Sequence, residues 1–191
     1  VDHIGQLSRL LEESGAETYG HVSVAPHADD PKEAERVSRE FLLGVFQQFG
    51  VPVEIIDQAR QARENFKGMG GQPRIDHTLH EGDRIFEFDV AHVPGHSSSD
   101  TLFVDRERGL AFTGDHVLKG VNPTPLIRRD PKTGERVKSL LEYERSLART
   151  RALGLKIMYP GHGPVITTPD DVIDRIVQRH ERRTLKVLEC V

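Results

Sequence analysis

Three segments of the chain share one design: an apolar run, a glycine-flanked turn, then a side chain able to bind a metal. They are Val93-Pro94-Gly95-His96-Ser97, Phe112-Thr113-Gly114-Asp115-His116 and Met158-Tyr159-Pro160-Gly161-His162-Gly163. A strand end holds a ligand in place, while glycine lets the backbone turn tightly and leaves room for an ion. Neutral imidazole and carboxylate together suit zinc, iron or manganese better than calcium. A fourth element, Asp2-His3, stands just ahead of the first helical pattern.

The elements around these turns follow from periodicity and punctuation. Ile4, Leu7, Leu10 and Leu11 recur at helical spacing and Gly15 closes the run. Thr18 to Val24 reads as a short strand. Asp30-Pro31-Lys32-Glu33 joins a capping carboxylate, proline at the first helical position and a first-turn acid. The apolar stripe Ala34, Val37, Phe41, Val45 and Phe49 then runs to Gly50, and a second helix begins near Pro52 and passes through Ile55, Ala59, Ala62 and Phe66. With the glycine-rich stretch that follows, residues of about 30–73 read as a helical insertion beside a main sheet.

After Pro73 the texture becomes that of strands: Arg74 to Leu79, Arg84 to Val93, Thr101 to Val104 and Leu110 to Thr113, with tight turns at Glu81-Gly82-Asp83 and Arg106-Glu107-Arg108-Gly109. Alternation in Phe86, Phe88, Val90 and His92 predicts one buried face. Gly120 to Gly134 is a loop. A helix over Val137 to Leu153 is expected to turn Val137, Leu140, Leu141, Leu147 and Ala148 inward. A strand from Leu155 to Tyr159 leads into Gly161-His162-Gly163, and Thr168-Pro169-Asp170-Asp171 opens the last helix. Each metal-competent turn thus follows a predicted strand.

Composition bounds the function. A chain of 191 residues, 36 % hydrophobic and with a net charge of −4, is long enough for a real core and fits one domain over residues 1–191. No basic tract forms a patch for nucleic acid or an anionic membrane, so a small-molecule substrate is the expected partner. Nor does any apolar run approach the roughly 20 residues that span a bilayer. Cys190 is the one cysteine, which excludes thiolate clusters and points to a reducing, cytoplasmic setting. Nothing in the pattern signals an oligomeric state.

The motifs also resemble a known family. Asp2-His3-Ile4-Gly5 is similar to the second half of the H-x-H-x-D-H-x-G motif of the metallo-β-lactamase superfamily. Pro94-Gly95-His96-Ser97 resembles its second histidine motif, Gly114-Asp115 its bridging aspartate and Gly161-His162-Gly163 its last histidine. The paired helices after Asp30, the Gly114–Leu118 run and the Tyr159–Pro164 run look like the glyoxalase II-like branch. The resemblance implies an α/β fold, the αβ/βα sandwich, and a two-metal site, with zinc the first expectation and iron or manganese also admissible. In that scheme His96 binds one ion, Asp2, His3 and His162 bind the other, and Asp115 bridges both. Asp2 also orients the attacking water, and the reaction is hydrolysis of a thioester or another acyl ester.

The remaining histidines carry bland readings. His116 is expected to support the site or face substrate, because strand neighbours point to opposite sides. His180 lies on an apolar helical stripe and reads as a packing residue, and Cys190 reads as structural. Ser97, Ser98 and Ser99 are expected to support the His96 turn. Three rival functions are a non-catalytic module on the same scaffold, a redox protein using iron in place of zinc, and phosphodiester cleavage of nucleic acid, the last disfavoured by the absence of a basic stripe. The two histidines of H-x-H do not precede Asp2 here, so the sequence reads as an N-terminally truncated form of the domain. On that reading the chain by itself is inactive or metal-poor. Elemental analysis is expected to find fewer than two tightly held ions per molecule; two would contradict it.

Overall fold

A computed structural model describes residues 6–24, 30–64 and 74–190 of the chain. Two compact units emerge. The first comprises residues up to Leu79 together with Ile127–Val137, the second His80–Leu126 with Lys138 onward.

In the first unit, helix α1 (Leu7–Ser14) ends at Gly15, whose left-handed backbone closes the last turn onto Leu11 O. Strand β1 (Tyr19–His21) is shorter than the expected Thr18–Val24, because the chain tightens into a 3-10 turn over Val22–Val24. Helix α2 (Pro31–Gln48) starts as its residues dictate, with the Asp30 carboxylate accepting from Glu33 N at 3.0 Å. Helix α3 (Val53–Glu64) follows, and β2 (His77–Leu79) pairs with β1 in parallel.

The second unit is built on one five-stranded sheet in the order β3 (Arg84–Ile85), β4 (Phe88–His92), β5 (Thr101–Asp105), β6 (Leu110–Gly114) and β7 (Ile157–Pro160). The single strand expected over Arg84 to Val93 is in fact a hairpin. It turns at Phe86, which adopts φ +53° and is 80 % exposed, so the expected buried alternation begins only after it. Pairing is antiparallel from β3 through β6, then parallel between β6 and β7. Strands β4, β6 and β7 therefore run in the same direction, and the segments that follow them leave the sheet at the same edge. Those segments carry His96, Asp115 and His162.

One face of the sheet is covered by helices α4 (Ser139–Ala152) and α5 (Pro169–Leu188). Leu102, Val104, Ala111 and Met158 are at most 1 % exposed there. Met158 joins Tyr143 and Leu147 of α4 and Val172, Ile173 and Ile176 of α5 in one core cluster. On the opposite face Phe112 lies between Phe88 and Tyr159, with ring centroids 5.6 and 5.3 Å away.

The inward face of α4 differs from the expected one. Ser139, Tyr143, Ser146, Leu147 and Thr150 are buried, while Leu140 and Leu141 are 38 % and 48 % exposed. The spacing is helical, but hydroxyls occupy it, and each has a partner to satisfy once it is buried. Ser139 Oγ donates to Leu126 O at 2.8 Å, Ser146 Oγ to Pro94 O at 2.7 Å and Tyr143 Oη to His116 O at 2.6 Å. Thr150 Oγ1 donates to Ser146 O at 2.8 Å, so it accepts from His116 Nε2–H at 2.9 Å. Burial pushes the Tyr143 phenol above its ordinary value and keeps it a donor.

Two outcomes follow from this packing. A Cβ on Gly95 would sit 2.5 Å from both Tyr143 Cα and Cβ, contacts that only backbone movement relieves. Gly95→Ala is expected to cost about 1–3 kcal/mol by overpacking, read as a lower denaturation midpoint at unchanged m-value. The second outcome concerns pH. Burial, with a smaller contribution from His96, holds His116 down to about 3 against an ordinary 6.5. The unfolded chain thus takes up the proton first, and stability is lost as pH falls from 6.5 towards 3. The slope contributed there approaches about 1.4 kcal/mol per pH unit. His116→Gln should flatten it, as measured by denaturation at stepwise pH.

Candidate functional site

The His96 turn is fixed from both sides. Within it, Gly95 N donates to Ser97 O at 2.8 Å, and the Asp100 carboxylate accepts from Ser97 N at 2.8 Å and Ser97 Oγ at 2.6 Å. Alongside runs the loop of residues 124–126, where Leu126 N donates to His96 O at 3.0 Å. The imidazole Nδ1 lies 2.9 Å from Thr124 O. A carbonyl only accepts, so Nδ1 carries the hydrogen and Nε2 presents its lone pair outward. Nε2 is thereby the nitrogen left able to bind a metal, selected by a backbone carbonyl.

The second and third turns are pinned to each other. Gly161 N donates to Gly114 O at 2.7 Å across the ends of the parallel pair β6–β7. A side chain at 161 would not permit this approach: a Cβ there would lie 2.8 Å from Asp115 Oδ1 and 3.3 Å from Gly114 C. The His162 loop is closed at its base by paired bonds between Met158 and Ile166, both 2.9 Å. As a result His162 Nε2 stands 3.7 Å from Asp115 Oδ2, with the imidazole 63 % exposed and the carboxylate 14 % exposed. That gap exceeds a hydrogen bond. It is close to the roughly 3.4 Å expected for two donors about 2.1 Å from one tetrahedrally held ion. An aromatic nitrogen opposed to a carboxylate oxygen suits a borderline transition metal, so the donor chemistry fits.

Asp100 links the two halves electrostatically. Burial raises its carboxyl above the usual range, the Ser97 hydrogen bonds oppose that rise, His96 lowers it and Asp115 raises it further. Asp2 and His3 fall outside the described residues. Among the described residues no group of three or more His, Cys, Asp or Glu side chains is arranged to hold an ion. The structure brings Asp115 and His162 together as a pair and sets His96 on the same sheet edge.

His116 does not face substrate. It is fully buried beneath the Asp115 turn, bonded to Thr150 and edge-on to the Tyr143 ring, with centroids 5.4 Å apart. His180 packs as expected, 4 % exposed and 5.7 Å from the Tyr143 ring centroid. Cys190 is exposed rather than structural; its thiol bonds only its own helix turn, at Lys186 O. Of the three serines, Ser97 supports the His96 turn directly, and Ser99 lies 3.3 Å from its hydroxyl. Sequence reasoning missed Asp100, the Thr124 carbonyl and the hydroxyl face of α4. The Ser97-x-x-Asp100 spacing was a usable signal, since a carboxylate three residues after a turn serine closes back on it. A carbonyl partner leaves no such trace.

Comparison with known proteins bears directly on this arrangement. Residues 1–162 match the family model of the metallo-beta-lactamase superfamily. The "Probable metallo-hydrolase YqjP" of Bacillus subtilis is 26 % identical over 188 residues, covering 96 % of this chain and 58 % of that protein. The hydroxyacylglutathione hydrolase GloC of Haemophilus influenzae is 29 % identical over 171 residues, 87 % of this chain and 66 % of its own. A metallo-beta-lactamase family protein of Thermus thermophilus superposes with a TM-score of 0.71 at 21 % identity, over 92 % of this chain and 56 % of that one. TTHA1623, solved in a di-iron-bound form, gives 0.53 at 27 % identity over 87 % of this chain and 67 % of its own. The chain thus spans little more than half the length of YqjP and of the Thermus thermophilus family protein. No described helix is long and apolar enough to cross a membrane. With an α/β architecture of the expected kind and a family match over most of its length, the chain belongs to the metallo-beta-lactamase superfamily.

Proposed function

We propose that this chain carries the metal centre of a glyoxalase II-like hydrolase that cleaves a thioester or a related acyl ester. The observation that carries the proposal is the Asp115–His162 pair, 3.7 Å apart and set by a backbone bond between glycines, on the sheet edge that also bears His96. Thioester chemistry is supported by GloC and by a 96-residue stretch 37 % identical to the atrochrysone carboxyl ACP thioesterase of Aspergillus fumigatus, 50 % of this chain and 27 % of that protein.

In this reading His96, Asp115 and His162, with Asp2 and His3, would hold the metal, Asp115 being shared between two ions, His96 serving the first and the other three the second. Zinc is the first candidate; the di-iron form of TTHA1623 keeps iron beside it. When bound, such ions make a water acidic enough to lose a proton near neutrality and polarise the acyl carbonyl. The protein's own part is positional. The Thr124 carbonyl fixes the His96 tautomer and the Gly161 approach leaves room for the Asp115 carboxylate, while Asp2, outside the described residues, would orient the water.

Asp115→Asn keeps the shape and removes the charge. In the full-length protein it should lower kcat/KM on thioesters about a hundredfold or more, beyond the usual loss from a residue that only supports a ligand. Near-normal turnover would remove Asp115 from the bridging role.

A further inference from the structure

We infer that Tyr143 is a positioning residue, through which helix α4 locks the His96 turn and the Asp115 turn into one unit. The inference rests on the metal-centre reading above and deepens it. The two turns follow different strands, β4 and β6, which are not neighbours in the sheet because β5 lies between them. Pairing through β5 registers the two strands, but the turns leave the sheet beyond the last paired residues, His92 and Phe112, and need a further tie.

Tyr143 touches both. Its backbone and ring close on Gly95, where even a methyl group would not fit, while its hydroxyl donates to His116 O at 2.6 Å. One turn further along the helix Ser146 Oγ holds Pro94 O, and a turn beyond that Thr150 Oγ1 holds the His116 ring. The His96 and Asp115 turns therefore each have two attachments to the same helix. A face whose only task was burial would be aliphatic, as sequence periodicity led one to expect at Leu140 and Leu141. Hydroxyls there gain little net stability over water, but each specifies the position of its acceptor. The polar face makes sense as a spacer of fixed length between the two half-sites.

The chain with Tyr143→Phe, which retains the ring against Gly95, and Ser146→Ala, which touches only the His96 turn, tests this. Amide hydrogen exchange is read in the metal-free protein at Gly95, His116 and Gly161, with the amides of β5 as the reference for global opening. Coupling predicts that each variant speeds exchange severalfold in both turns while β5 stays at the wild-type rate. Co2+ titration of the full-length protein gives the second readout: Tyr143→Phe should weaken binding about tenfold and alter the visible ligand-field band. If Ser146→Ala loosens Gly95 alone and leaves His116 and Gly161 protected as in wild type, the coupling is refuted. Full-length wild-type protein that takes up no Co2+ would instead count against the metal-centre reading, and the exchange data would still decide the role of Tyr143.

Discussion

The site depends on two backbones touching. Where β6 and β7 end, Gly161 N–H meets Gly114 C=O at 2.7 Å, and the carboxylate of Asp115 occupies the space that a Cβ at 161 would take. The parallel register slips between Phe112 and Gly114, so the strands stop pairing regularly just where the two turns begin. A side chain at 161 would displace the Asp115 carboxylate, whose Oδ1 would lie 2.8 Å from the new Cβ, and would press on Gly114 C at 3.3 Å, so the Asp115–His162 spacing would change. The requirement is steric, and it falls first on the end of a short side chain whose Oδ1 is buried.

Around that contact the rest of the unit supplies direction and depth. Strand directions bring three turns to one edge, but direction alone tolerates shifts of a few ångströms, and the proposed pair of ions about 3.5–4 Å apart would not. The finer placement comes from groups that do not touch the centre: the Thr124 carbonyl on His96, Asp100 on Ser97 and the α4 hydroxyls on Pro94 and His116. Burying these groups yields little net stability, since each exchanges a hydrogen bond with water for one within the protein. The gain is precision, and it is costly to disturb because a lone buried acceptor pays its full desolvation.

What could be read from the residues divides along a physical line. The three turns were legible because glycine beside histidine or aspartate after an apolar run is a local pattern. The start of α2 was legible for the same reason, since Asp30 caps Glu33 three residues away. The hairpin at Phe86 was not, because neither Phe86 nor Glu87 is a turn former, and only pairing with neighbouring strands selects a turn there. The inward face of α4 was misjudged for a deeper reason. Hydrophobic periodicity assumes that what is buried is apolar, whereas this helix buries hydroxyls because its neighbours are turns with carbonyls to satisfy. Of the two places expected for His116, supporting the site or facing substrate, the structure gives the first, a buried neutral ring beneath the Asp115 turn. Such tertiary constraints leave no spacing rule in a single chain.

Membership of the metallo-beta-lactamase superfamily fits this division of labour, with a sheet edge offering ligands and helices behind it setting their positions. The central claim is that Asp115 and His162 are poised to share one ion. Anomalous diffraction from crystals of the full-length protein grown with zinc tests it most directly. The account predicts a zinc peak between the two side chains, about 2.0–2.2 Å from Asp115 Oδ2 and His162 Nε2. A peak bound elsewhere, with those two atoms facing each other across an empty gap, would contradict it.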